Sequence, residues 1–130
     1  HTIGPDDSVL DALELMAAKE VGALVVTEAS GQIVGLLSER DYARKVVLLG
    51  RVSRETPARD IMTGEVVCVA PEQSTDTCMG LMTQRHIRHL PVVSEGRLVG
   101  IVSIGDVVKA FIEGQQFAID ELQHYIMGNR

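Results

Sequence analysis

The chain has no tryptophan, and aromatic residues make up only 3% of its 130 positions. A platform that stacks single-stranded bases needs aromatic faces, so that class of nucleic-acid binder is disfavoured. Positive charge is also short: 12 Lys and Arg stand against 18 Asp and Glu, a formal net charge of −6. A nonspecific grip on a phosphate backbone needs the opposite sign. Long apolar runs are missing, because Glu, Arg, Asp or Lys interrupts each one before it reaches membrane-spanning length. Cysteine is limited to Cys68 and Cys78, which have neither metal-binding nor redox spacing. They read as small core residues of a reducing compartment, and no secretory signal pattern opens the sequence as given. The expectation is a soluble, cytoplasmic chain without nucleic-acid or membrane partners.

What is present is a globular composition, 45% hydrophobic and 23% charged. That suffices for one compact domain or two small units sharing a core. The chain also repeats itself. Sliding it by 66 positions lays Pro5 on Pro71, Ser8 on Ser74, Leu15 on Leu81, Met16 on Met82, Leu24 on Leu90 and Val26 on Val92. After a one-residue loss in a turn, an offset of 65 lays Gly31 on Gly96, Val34 on Val99, Gly35 on Gly100, Ser38 on Ser103 and Asp41 on Asp106. The matches are colinear.

Each copy has the same grammar. Ser8, with Asp11 three residues on, marks a capped helix start, and Val9, Ala12, Leu13, Met16 and Ala17 follow at helical spacing. A short β-rich run, GALVV or HLPVV, then joins IVGLLS or LVGIVS through a Gly-containing turn to make a hairpin. Ser38 and Ser103 next cap a second helix. The expected unit is strand, helix, strand, strand, helix, with most of the first strand of copy one missing before His1-Thr2. The boundaries read as residues 1–50 for the first repeat, 51–60 for a polar linker around Pro57, 61–113 for the second repeat, and 114–130 for a C-terminal helix with an apolar stripe at Ala118, Ile119, Leu122 and Ile126. Neither copy offers much core alone. The predicted fold is therefore mixed α/β: two β-α-β-β-α repeats packed with pseudo-twofold symmetry, which makes paired clefts.

The doubled Ser-x-x-Asp admits two roles. It is a capping-box variant whose acid suits the helix dipole. It also sets an acid at a strand-to-helix corner, where a carboxylate can take two hydrogen bonds from a ribose diol and free helix amides favour an anion. Gly35 and Gly100 leave the backbone open to close approach. The two roles are compatible, since a cap holds the corner that presents the acid.

The duplicated G-x-x-S-x-x-D, the I-M-T at 61–63 and the H-L-P-V-V at 89–93 closely resemble a tandem CBS-domain pair, a Bateman module, over residues 1 to about 113. The resemblance implies a stand-alone regulatory sensor that catalyses nothing and binds an adenine nucleotide between its repeats. AMP is the first expectation, with NAD, ADP or ATP next. It implies that Asp41 and Asp106 take ribose, that Ser38 and Ser103 contact ribose or phosphate, and that Thr63 borders the adenine. It places Gly22 and Ala23 in one copy, and Ile87, Arg88 and His89 in the other, where backbone reads the adenine edge and basic side chains meet phosphate. Copy one lacks that basic pair. Six of the 12 Lys and Arg fall at Arg40, Arg44, Lys45, Arg51, Arg54 and Arg59, and Arg40 and Lys45 are expected to supply phosphate contacts there. The family also implies a homodimer.

Other constellations carry less. His86 and His89 with a cysteine straddle a helix end and a strand start, so no metal site is expected. No nucleophile has a recognisable base partner, so no enzyme activity is expected. The competing readings are a ligand-free dimerisation or interaction scaffold, and a regulatory fragment of a larger enzyme or transporter.

Overall fold

A computed structural model describes residues 1–114. The helix expected beyond Gly114 lies outside the described residues. The elements run β1 (Thr2–Ile3), α1 (Val9–Lys19), β2 (Ala23–Thr27), β3 (Ile33–Ser38), α2 (Glu39–Tyr42), a π-helical turn (Ala43–Val47), a 3-10 turn (Ala58–Asp60), α3 (Thr75–Arg85), β4 (His89–Ser94), β5 (Arg97–Ser103) and α4 (Ile104–Ile112). The chain divides into two compact units, His1–Val66 and a second that begins at Val67.

In the first unit β2 lies between β1, parallel to it, and β3, antiparallel to it. Thr63 continues this sheet on the far edge of β3: it exchanges both backbone bonds with Leu36, at 2.9 and 3.0 Å. The I-M-T stretch that opens the second sequence repeat is thus paired within the first unit. In the second unit β4 and β5 form the hairpin. Val69 pairs in parallel with Val92, as Ile3 does with Val26. The first unit runs strand, helix, strand, strand, helix, and in the second a single bridge at Val69 stands in the place of the first strand.

The duplication extends to irregularities. Pairing slips by one residue after Val26 and again after Val92, leaving Val34 and Val99 as the extra residues of two bulges. Helices α1 and α3 start alike: Ser8 Oγ accepts from the Asp11 N–H at 3.0 Å and Ser74 Oγ from the Thr77 N–H at 3.1 Å. They end alike too, on left-handed residues that are not glycine, Glu20 (φ 56°) and His86 (φ 54°). The next amides, Val21 and Ile87, reach back to the carbonyls of Met16 and Met82 and close each last turn.

Each unit has its own core. Ile3, Val9, Ala12, Met16, Leu24, Val26, Leu37, Val46, Ala58 and Ile61 fill the first. Val69, Cys78, Met82, Leu90, Val92, Val102, Val107 and Ala110 fill the second. Burial pushes the Cys78 thiol up to about 11, as suits a core residue rather than a nucleophile.

The polar stretch after residue 50 is a strap on the first unit. The Val9 and Leu10 amides, open donors at the start of α1, donate to the carbonyls of Thr56 (2.8 Å) and Ser53 (3.2 Å). Ala58 and Arg59 donate to the carbonyls of Asp7 and Pro5. Thr56 is buried, its hydroxyl donating to the Val52 carbonyl at 2.8 Å. Ion pairs of Arg51 with Asp60 and Arg59 with Asp6 flank the strap, so two cations of the basic cluster are engaged in holding it.

Candidate functional site

The doubled motif folds into two corners with the same set of hydrogen bonds. Ser38 ends β3 in extended backbone and caps α2. Its Oγ accepts from the Asp41 N–H at 3.2 Å, while Asp41 Oδ2 accepts from the Ser38 N–H at 3.0 Å and the Ser38 hydroxyl at 3.1 Å. Ser103 ends β5 and caps α4 in the same way, with 3.2, 2.9 and 3.0 Å for the three bonds to and from Asp106. Both are complete capping boxes.

Strand pairing brings the other predicted residues to these corners. Ala23 pairs with Ser38, and the Glu39 N–H donates to the Gly22 carbonyl at 3.0 Å. His89 pairs with Ser103, and the Ile104 N–H donates to the Arg88 carbonyl at 2.8 Å. Arg88 is exposed and His89 half-buried. Thr63 sits on the edge of β3 opposite Leu36, which lies two residues before the Ser38 cap. Ile87 packs against the second core and donates its N–H to Met82, so its side chain serves the fold. Arg40 is exposed in the first turn of α2.

Behind the acids the corners diverge. Lys45 Nζ lies 3.4 Å from Asp41 Oδ1 and donates to the Ile61 carbonyl at 3.0 Å, tying the motif acid to the I-M-T segment. At the matching position of the second repeat, Ala110 is fully buried. Continued as an α-helix, the first repeat would place Lys45 where Ala110 sits and bury an ammonium, at a cost of several kcal/mol. The π turn avoids this. Its wider closure, from the Leu48 N–H to the Ala43 carbonyl at 3.2 Å, adds a residue to the turn, and Val46 enters the core while Lys45 stays at the corner.

Sequence reasoning missed what Gly35 accommodates. A Cβ there would overlap the thioether of Met62, so the close approach the glycine allows is made by the chain's own I-M-T. The I-M-T stretch itself was the available signal. An open pocket of about 540 Å³ also lies on the first unit, lined by Pro5, Asp6, Glu28, Ala29, Val34, Arg59 and Met62. It lies toward the hairpin end of the sheet, away from Ser38, and contains none of the predicted site residues. Among the described residues no helix is long and apolar enough to cross a membrane, and no three His, Cys, Asp or Glu side chains converge as metal ligands.

Comparison with known proteins places this architecture. The CBS domain family matches residues 1–48 and again 58–113. A CBS-domain protein of solved structure from Burkholderia ambifaria MC40-6 is 52% identical and superposes with a TM-score of 0.83, the match covering 92% of this chain and 87% of that one. CBS domain-containing protein CBSX3, mitochondrial, of Arabidopsis thaliana is 42% identical over 127 residues. That match takes in 95% of this chain but only 62% of the relative's length. CBS domain-containing protein YhcV of Bacillus subtilis (strain 168) is 38% identical over 106 residues, 82% of this chain and 74% of its own. With two family matches, one over each sequence repeat, the chain belongs to the CBS-domain family.

Proposed function

We propose that the two Ser–Asp corners bind adenine nucleotide and that the chain is a regulatory module rather than a catalyst. Asp41 and Asp106 take the ribose hydroxyls, and Ser38 and Ser103 stand beside them. Thr63, Gly22 and Ala23 in one repeat, and Ile87, Arg88 and His89 in the other, frame the base and phosphate, with Arg40 and Lys45 adding positive charge to the first. AMP is the first choice, with NAD, ADP or ATP next. The module acts in the cytoplasm as a homodimer on a partner supplied by another domain or protein.

One observation carries the proposal. Capping alone does not demand an aspartate in this molecule, because α3 is capped by Ser74 with Thr77 at the third position. The two helices that follow the hairpins nevertheless both keep the acid, in matching geometry and beside the start of the middle strand. Membership of a family whose paired domains bind adenine nucleotides supports the same reading. A ligand-free scaffold is favoured by one fact, that each Oδ2 is already engaged by its own serine.

Thermal denaturation separates the two. Ligand at ~100 times its dissociation constant adds about 2.7 kcal/mol of stability, which raises the melting temperature by several degrees in a domain of this size. AMP, ADP, ATP and NAD at millimolar concentration are each expected to be tested this way, with AMP giving the largest rise. Four flat curves would leave the scaffold standing.

A further inference from the structure

The π turn gives the first repeat a group that the second lacks. Lys45 Nζ bridges Asp41 Oδ1 and the Ile61 carbonyl, and it is held at the corner by a local departure from α-helix that the matching Ala110 does not require. Of the two Asp41 oxygens, Oδ2 is committed to the Ser38 N–H and hydroxyl, so Oδ1 is the one left for a ribose hydroxyl, and it faces the ammonium. A nucleoside binding here competes with Lys45. A nucleotide brings its own anion, to which an ammonium on a four-carbon stem can move.

Resting on the nucleotide reading above, we propose that Lys45 is the specificity-determining residue of the first corner. It discriminates against unphosphorylated nucleosides by occupying the ribose acceptor, and it exchanges Asp41 for the phosphate when a nucleotide binds. The second corner carries alanine at that position. Because Lys45 also holds the Ile61 carbonyl, two residues before the Thr63–Leu36 pairing, the exchange is felt by the segment that leads out of the first unit.

The test is a site-resolved NMR titration of the whole chain with adenosine and with AMP. The amides of Ser38 and Asp41 report the first corner, and those of Ser103 and Asp106 the second. In Lys45→Met, which keeps the apolar stem, AMP should bind the first corner about tenfold or more weakly, through loss of a charge-assisted contact. Adenosine there should tighten by up to about fivefold, the worth of a partly exposed ion pair removed from competition. Lys45→Arg should retain the preference for AMP, and the second corner should be unmoved by either change. Equal effects on AMP and adenosine, or equal effects at both corners, would overturn the role of Lys45 while leaving nucleotide binding intact. Absence of shifts at both corners in the unaltered protein would overturn the nucleotide reading and this inference with it.

Discussion

Behind Asp41 stands a lysine on a π turn; behind Asp106, at the matching position, an alanine lies in the core of a regular helix. The three hydrogen bonds of the boxes in front of them agree to within 0.1 Å. The boxes are made between residues three apart, so they depend on little beyond four consecutive positions and survive divergence elsewhere. The helix behind must answer to whichever side chain falls toward the core. One residue difference, Lys for Ala, is met by changing the helix type rather than by moving the acid. The frame of the site and the charge around it are therefore separable, and two copies can keep one while altering the other.

The most severe way to break this comparison is to exchange the residues. Ala110→Lys puts an ammonium into the second core and should cost about 3–5 kcal/mol, the scale of an uncompensated buried charge, whereas Lys45→Ala removes only a partly exposed ion pair and should cost under about 1 kcal/mol. Urea unfolding of both variants measures the difference. A small loss for Ala110→Lys with α4 still a regular α-helix by its backbone chemical shifts would mean that a lysine is tolerated at that position without widening, and the packing explanation of the π turn would fail. A gentler test addresses the frame. Ser38→Ala and Ser103→Ala should each lose about 0.5–2 kcal/mol and by similar amounts, since each removes the same cap. Clearly unequal losses would show that the corners are alike in geometry but not in energy. The smallest expected effect is a gain: Glu20→Gly relieves a left-handed residue at the end of α1 and should add about 0.5–1 kcal/mol, readable as a rise in melting temperature.

Local chemistry was legible in the sequence and nonlocal chemistry was not. The Ser caps, the hairpins and the shortened second turn could be read because each is settled within a few residues. The ends of α1 and α3 gave no such sign, because Glu20 and His86 close them where a glycine would have announced the stop. The turn after Tyr42 reads as plain helix until it is known that an α-helix would carry Lys45 into the core position that Ala110 fills in the other copy. Thr63 and the strap were hidden for a different reason. Thr63 pairs with Leu36 across 27 positions, and Thr56 answers Val9 across 47, so no short window contains both partners. At the site, the acids and the residues paired beside them were legible because they share a hairpin. The lysine's contact with Ile61 was not, since it joins the motif to a segment that the repeat pattern assigns to the other copy.

The strap has a consequence for how such a chain can be cut and reused. Inheritance and folding divide it at different places. A duplicating gene copies a period that carries Ile3 onto Val69, and the matches within the first copy are complete before residue 50. The amides of Val9 and Leu10, however, find their acceptors at Thr56 and Ser53, and the first core takes in Ala58 and Ile61. A gene fragment ending at residue 50 would carry every matched residue of the first repeat and still encode a helix with open donors above an unfilled core. A fragment ending at Val66 would carry both the donors and their acceptors, so recombination that moves this unit between proteins must take the polar stretch along with it.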